Sequence, residues 1–584
     1  EVSLPPDALR AGTKRITLHS RPEVDARSTV ALDWLDVDVP VALRANAGQW
    51  LHRFNERDAT GVHALRVSGF SSSTLRAIRH KEGNWSSLNV SAELQSDGSY
   101  TAVLSDTLAP GVLIAISDNA TFAPDAIISP LPALRGESRG AAALLLTADS
   151  LRATAEEYAA LLRELHGVST RVVGMRDVYD AFSHGMPEPE ALRAFIFHAR
   201  NNWSDTLRSV LLLGDANVNP LATSGAYRST LVPSLGWPAS DAALVSFDSA
   251  GVEQGVDIGR LPVRSAGDIR AAIERRRAYS SAAVDVWNKT TLHFSGGEYY
   301  ENDTQLEFYR SINRQVIENA VLPAPFGGRA AHVYKTAFPA SDIGPLTQRE
   351  YDELIARGAL AISYVGHSAT TTWDNGIDNP TQLRSLHGRP SLITDFGCSS
   401  ARFAEPDIRS FGELAVTGGD APAIAYIGNA GFGARSTGVP FPRLFYDELL
   451  THPGRSLGEA HRRSRKRLLD ELGTLPAVRN AVTMSTLLGD PLQRLAIAAQ
   501  ADLVVEENGL EIHDLPLTDT RDSMYTDILV RNLGRAVQQD MTVRILLLAS
   551  GDTLALREWR GPVPLFESRI PVVLPLPGVV GDFM

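Results

Sequence analysis

Apolar and polar positions change rhythm twice along the chain. Up to about residue 135 they alternate singly, as in "GVHALRVSGF" and "GSYTAVLSD", with glycine and aspartate turn signals between the runs. This is the period of half-buried strands, and it predicts an all-β domain over 1–135. From about 141 to 500, short and wholly apolar runs alternate with amphipathic stretches: "AAALLLTA", then "EEYAALLRELHG" ending at Gly167, then "TRVVGM", "PEALRAFIFHARNN" and "SVLLLGDAN". Strands apolar on both faces, separated by helices, predict an α/β fold with a parallel sheet covered on each side. "ALAISYVGH", "RPSLITDFGC" and "APAIAYIGN" continue the series, each stopping at a polar or small residue. Ligand sites in such sheets lie at the carboxyl ends of strands, so these stops are where chemistry is expected. From about 501 the single alternation returns ("YTDILVRNLG", "MTVRILLLAS"). It predicts a β module of immunoglobulin type over 501–584. Its six or seven strands hardly fit before Met584, so the module is expected to be incomplete.

Composition narrows the function classes. A net charge of −12 and a pI of about 5.7 argue against a nucleic-acid surface, which needs concentrated Lys and Arg. The one dense basic run, Arg462 to Arg467, falls in a helical pattern and reads as a solvated helix face. No stretch approaches the 18 or so apolar residues of a membrane span. The chain begins at Glu1 without a leader and reads as a mature or trimmed product. Its single cysteine, Cys398, excludes a disulfide framework and a cysteine-based zinc site. No dinucleotide, P-loop or H-E-x-x-H pattern is present, so no catalytic cofactor is expected.

The stretch "SYVGHSAT" holds two candidate reacting groups, His367 and Ser368. A serine-hydrolase elbow requires a helix beginning at the serine and a glycine two residues later. Thr370 stands there, and "ATTTWDNG" is β-branched and turn-like, which disfavours that reading. The other reading joins two strand ends. His367 closes one apolar run and Cys398 closes the next, 31 positions on, about the length of one crossover between neighbouring parallel strands. An imidazole beside a thiol is the minimum machinery for acyl transfer. Gly366 and Gly397 suit tight turns whose N–H groups could hold an oxyanion. On these residues alone the bland alternative, a core cysteine and a capping histidine, stays open.

Taken together, "ISYVGHSATTTWDNG", "LITDFGCSSARFAEPDIRSFGELA", "SVLLLGDAN", "VDIGRLPVRSAGDIRAAIERRRAYS" and "STLLGDPLQRL" resemble the gingipain family of cysteine peptidases, in the right order over roughly 141–500. The β domain before them, with "ALDWLDVDVPVAL", is similar to the one preceding the catalytic domain in type IX secretion sortases and related bacterial surface proteins. The resemblance implies a caspase-like α/β fold, with a pseudo-subdomain over 141–285 and a catalytic subdomain over 286–500. It implies His367 as general base and acid and Cys398 as nucleophile. The N–H groups of Ser368 and Cys398 would form the oxyanion hole. An acid supports the histidine in the family; in "FSGGEYYEND" Glu298 is the candidate and Asp303 the reserve. Where the family usually has glycine after the histidine, this chain has Ser368.

For the substrate pocket, Asp303 (or Glu307) could receive a basic side chain, while Trp373 and Phe432, in the loop "GNAGFGARSTG", are expected as walls. The resemblance also allows structural calcium on the carboxylate loop Asp374 to Asp378. It implies a protein or peptide substrate, partners in the bacterial envelope or secretion system, and an extracellular or cell-surface location. The leading expectation is a cysteine endopeptidase that cleaves or transfers peptide bonds; the competing one is an inactive module of the same fold.

Overall fold

The computed structural model describes residues 42–118, 133–136, 138–218, 230–248, 250–297, 303–513, 521–549 and 552–576. It divides into two compact units, Glu1–Ser129 and Pro130–Met584. In the first, two antiparallel sheets of four and three strands face each other across Trp50, Phe54, Val67, Phe70, Leu104 and Ile114.

The second unit is built on one sheet of eleven strands. In spatial order they are Ala340–Gly344, Arg329–Ala337, Thr290–Ser295, Ala361–Val365, Ser391–Asp395, Ala423–Asn429, Ser485–Leu488, Asp257–Leu261, Ser209–Leu213, Ala143–Thr147 and Thr170–Gly174. Neighbours pair in parallel except at the edge strand Ala340–Gly344 and between Ala423–Asn429 and Ser485–Leu488. The α/β class and its mostly parallel sheet follow from the apolar runs: Ala143–Thr147, Ser209–Leu213, Ala361–Val365 and Ser391–Asp395 are buried at every position.

Period-2 alternation sorts each strand's side chains between two cores. Ala361 and Val365 face one layer, with Phe441, Phe445 and Leu468 from the helices Pro440–Leu450 and Leu457–Leu472. Ile362 and Tyr364 face the other, with Trp373 and Phe411. Helix starts follow local chemistry. Ser265, Thr347 and Ser410 each cap a helix in a reciprocal box with an acid three residues on.

The two halves of the sheet meet at Ser485–Leu488, a late strand inserted between them. Beside that junction, buried Arg276 and Asp490 form an ion pair, and Tyr158 Oη donates to Asp490 at 3.1 Å. The helix Leu457–Leu472 corrects the reading of its basic run as a solvated face. Arg465 is buried and donates to the carbonyls of Val482 and Ser485, each at 3.1 Å, while Arg462 reaches Asp257 at 2.6 Å. These cations fasten the helix to neighbouring elements.

C-terminal to the large sheet lie two small ones, of three and two strands, within Leu503–Pro575. Buried Lys289 ties this module to the α/β core by donating to the carbonyls of Phe326 and of Gly534, the latter at 2.6 Å. Among the described residues, no helix is long and apolar enough to cross a membrane.

Candidate active site

Sheet register brings the two strand ends together. Tyr364 pairs with Asp395, and His367 and Cys398 each follow three residues beyond that pair, at the carboxyl edge. Both loops depend on glycine. A Cβ on Gly366 would lie 2.8 Å from the Gly296 Cα, and one on Gly397 would lie 2.2 Å from Ser368 Oγ and 2.8 Å from the Gly366 carbonyl. No helix begins at Ser368, whose loop turns back through an isolated bridge to Trp373, so the hydrolase elbow is absent.

Asp374 organises the histidine loop. Its carboxylate accepts from Tyr364 Oη at 2.6 Å, from Gly297 N–H at 2.9 Å and from His367 N–H at 3.3 Å. Its own N–H donates to the His367 carbonyl at 3.1 Å, and Tyr364 Oη bonds the same carbonyl. Burial raises the Asp374 carboxyl above its ordinary range, and these donors pull partly against that. The His367 ring is exposed, with its Nε2 hydrogen-bonded to Tyr309 Oη at 3.0 Å and the two rings edge to face. Tyr309 comes from the helix Asp303–Val316. Tyr309 was not legible as a site residue, and Asp374 was legible only as a turn or calcium residue, because each acts through a tertiary contact rather than a motif.

The cysteine loop is held by Ser368 and Asp395. Ser368 Oγ accepts the Cys398 N–H at 2.7 Å and lies 3.1 Å from both Asp395 Oδ1 and the Cys398 carbonyl. Buried Asp395 also accepts from Gly397 N–H at 2.6 Å and from Tyr426 Oη at 3.2 Å. Half-buried Cys398 receives the Gly433 N–H on its sulfur at 3.3 Å. Burial pushes the Cys398 thiol up; the Gly433 N–H lowers it in part, and the Asp395 charge adds to the rise. Left-handed backbone falls on Ser399, at φ 59°, and not on Ser368, so serine at 368 carries no such strain.

The other expected site residues fare differently. Glu298 lies outside the described residues. Asp303 heads the helix Asp303–Val316, and Glu307 is engaged by Arg314 at 2.6 Å. Phe432 is 81% exposed and lines a cleft with Phe396, Gly433, Ala434, Thr437 and Phe441, beside the cysteine sulfur. Trp373 corrects its expectation as a pocket wall. It is fully buried, stacked between Tyr364 (4.5 Å) and Phe411 (5.0 Å), because the loop folds its largest apolar side chain under the sheet edge. Trp373→Ala should therefore cost about 3–5 kcal/mol of stability, read from denaturant midpoints.

The Asp374–Asp378 loop does not suit calcium. The Asp374 carboxylate is taken up by N–H and O–H donors, and the Lys335 ammonium bonds the Asp374 carbonyl and lies 3.5 Å from Asp342. Calcium requires six to eight available oxygens, whereas a lysine cation already sits among these. Among the described residues, no group of three or more His, Cys, Asp or Glu is placed to hold a metal.

Burial pushes Asp395 up to about 6, against its Ser400, Gly397, Ser368 and Tyr426 hydrogen bonds. A carboxyl raised from its ordinary 3.8 binds its proton more tightly when folded, so it contributes stability below about pH 4 that is lost as pH rises through 6. The loss is on the order of 3 kcal/mol. Asp395→Asn should abolish this component. The stability of the wild type relative to the variant should therefore fall between about pH 4 and 6, in melts recorded across that range.

The family model for peptidase family C25 matches residues 137–496, and the chain belongs to that family. It is thus a member of a cysteine peptidase family, as the gingipain resemblance implied. Similar solved structures include the Arg-specific cysteine proteinase gingipain R, at 14% identity and a TM-score of 0.48, covering 77% of this chain and 94% of that one. The complex of Porphyromonas gingivalis RgpB pro- and mature domains is 14% identical, with a TM-score of 0.47, covering 74% and 93%. Dimeric latent PorU from Porphyromonas gingivalis is 14% identical, with a TM-score of 0.46, covering 91% of this chain and 49% of that one. No curated protein is matched at a significant level.

Proposed function

We propose that this chain is an extracellular or surface cysteine endopeptidase working through His367 and Cys398. The observation that supports it most is the shared strand register, with the imidazole and the only thiol at equal distances beyond one paired position. Because burial raises the thiol, the resting sulfur is protonated, and His367 acts as a base at the moment of attack. The thiol's proton passes to the imidazole as sulfur bonds to the scissile carbonyl carbon. The imidazolium then protonates the departing amine, leaving a thioester on Cys398. Water, or an acceptor amine, attacks that thioester with His367 again taking the proton. The Gly433 N–H directed at the sulfur stabilises negative charge there. Exposed Phe432, next to the Gly433 whose N–H meets the sulfur, is the proposed contact for a substrate side chain.

A second reading has its own support. The Cys398 N–H is occupied by Ser368, and the thiol is raised, as suits a module that has kept the fold without the activity. A library of unstructured peptides separates the two. The peptidase reading expects new termini by mass spectrometry, suppressed by iodoacetamide and indifferent to a serine-directed phosphonate. An intact library after prolonged incubation at pH 8 would favour the silent module.

A further inference from the structure

An acyl-transfer site must present at least one N–H to the oxygen that becomes charged, and the N–H of the nucleophile's own residue is a natural donor. In this chain that N–H is taken. Ser368 Oγ accepts it at 2.7 Å, while the same oxygen lies 3.1 Å from Asp395 Oδ1 and 3.1 Å from the Cys398 carbonyl. A hydroxyl has one proton and can donate to only one of those two acceptors, so its remaining lone pair is well placed to face the Cys398 N–H. The oxygen is also fixed in space. It lies 2.2 Å from where a Gly397 Cβ would stand, so only glycine at 397 lets the serine reach over the peptide. Asp395, buried and further anchored by Gly397 N–H and Tyr426 Oη, holds the serine from beneath.

Resting on the proposed His367–Cys398 chemistry, we propose that Ser368 is a latch on the oxyanion site. Its hydroxyl holds the Cys398 N–H in the free protein, and a substrate carbonyl must displace it before that N–H can stabilise the tetrahedral oxyanion. No bond is made or broken covalently; one hydrogen-bond acceptor replaces another. Ser368 is thus a positioning residue that lowers activity, and glycine or alanine in its place opens the donor. Asp395 keeps its Gly397, Tyr426 and Ser400 hydrogen bonds when the serine hydroxyl is removed, so the loop beneath has reason to persist.

Two reagents that both need the thiol, but differ in needing the donor, test this on the full chain. Iodoacetamide alkylates sulfur by displacement and forms no oxyanion. A peptide aldehyde forms a hemithioacetal whose oxygen occupies the oxyanion site. Ser368→Ala and Ser368→Gly should each bind the aldehyde about tenfold more tightly than wild type and raise kcat rather than lower KM. Their iodoacetamide rates at pH 8.5 should stay within about twofold of wild type, which a general loosening of the loop would not allow. If the thiol alkylates normally while aldehyde affinity is unchanged or weaker in both variants, the latch is overturned and the dyad survives. If neither wild type nor variants alkylate at Cys398 or take up the aldehyde, the dyad reading falls and the latch with it.

Discussion

On the proposed chemistry, Cys398→Ala should eliminate peptide turnover, and His367→Ala should lower kcat by roughly 10³-fold or more while leaving KM within a few-fold. The asymmetry follows from the roles. Without the sulfur there is no atom to carry the acyl group, so what remains is at most the effect of binding and oriented N–H donors. Without the imidazole the sulfur is still present, but burial holds it protonated, and the leaving amine has no acid. The histidine variant should therefore regain part of its activity at high pH, as the raised thiol ionises unaided, whereas the cysteine variant gains nothing. Each effect belongs to the pair, so the double variant should be no worse than Cys398→Ala alone. Steady-state assays between pH 6 and 10 on the three proteins check all of this.

Arg260→Ala should cost about 3–5 kcal/mol of stability. The Arg260 side chain is fully buried. Its Nε and Nη2 donate to both oxygens of Asp241 at 2.7 Å, and Nη1 reaches the carbonyls of Gly214 at 2.6 Å and Val232 at 2.8 Å. Truncation leaves a buried carboxylate without its cation and removes this donor from three backbone carbonyls, those of Gly214, Val232 and Pro233. The guanidinium also lies 4.8 Å from the centre of the Phe403 ring, five residues past Cys398, so the loss should reach the cysteine loop. Arg260→Lys restores a charge but not the planar fork, and should recover less than half of the loss. Thermal melts of the three proteins, with peptide turnover measured well below each transition, separate stability from activity.

The sequence disclosed what local pattern controls. Runs apolar on both faces predicted a two-sided parallel sheet, and the stops at His367 and Cys398, each just after a glycine, marked its carboxyl edge. What stayed hidden was set by tertiary contact. Trp373, in a threonine-rich turn, reads as a pocket wall or a core aromatic alike, and Tyr364 and Phe411 close on it to make it core. Asp374 looks like a turn residue or a cation ligand, yet three donors from two loops make it the anchor of His367. The run Arg462 to Arg467 has the spacing of a surface face, but Arg465 turns inward to the carbonyls of Val482 and Ser485. Ser368 is the sharpest case. The sequence identified it as a departure from glycine, and only the position of its hydroxyl shows that the side chain occupies the Cys398 N–H.

In the proposed reaction Cys398 carries the acyl group and His367 puts it there. An activated peptide ester mixed with the full chain, quenched in acid and digested for mass spectrometry, reads this directly. One acyl group is expected on the peptide containing Cys398, removed by hydroxylamine, and strongly diminished in His367→Ala at neutral pH. An acyl group on Ser368, or none on any residue while the ester is hydrolysed no faster than in buffer, would contradict it.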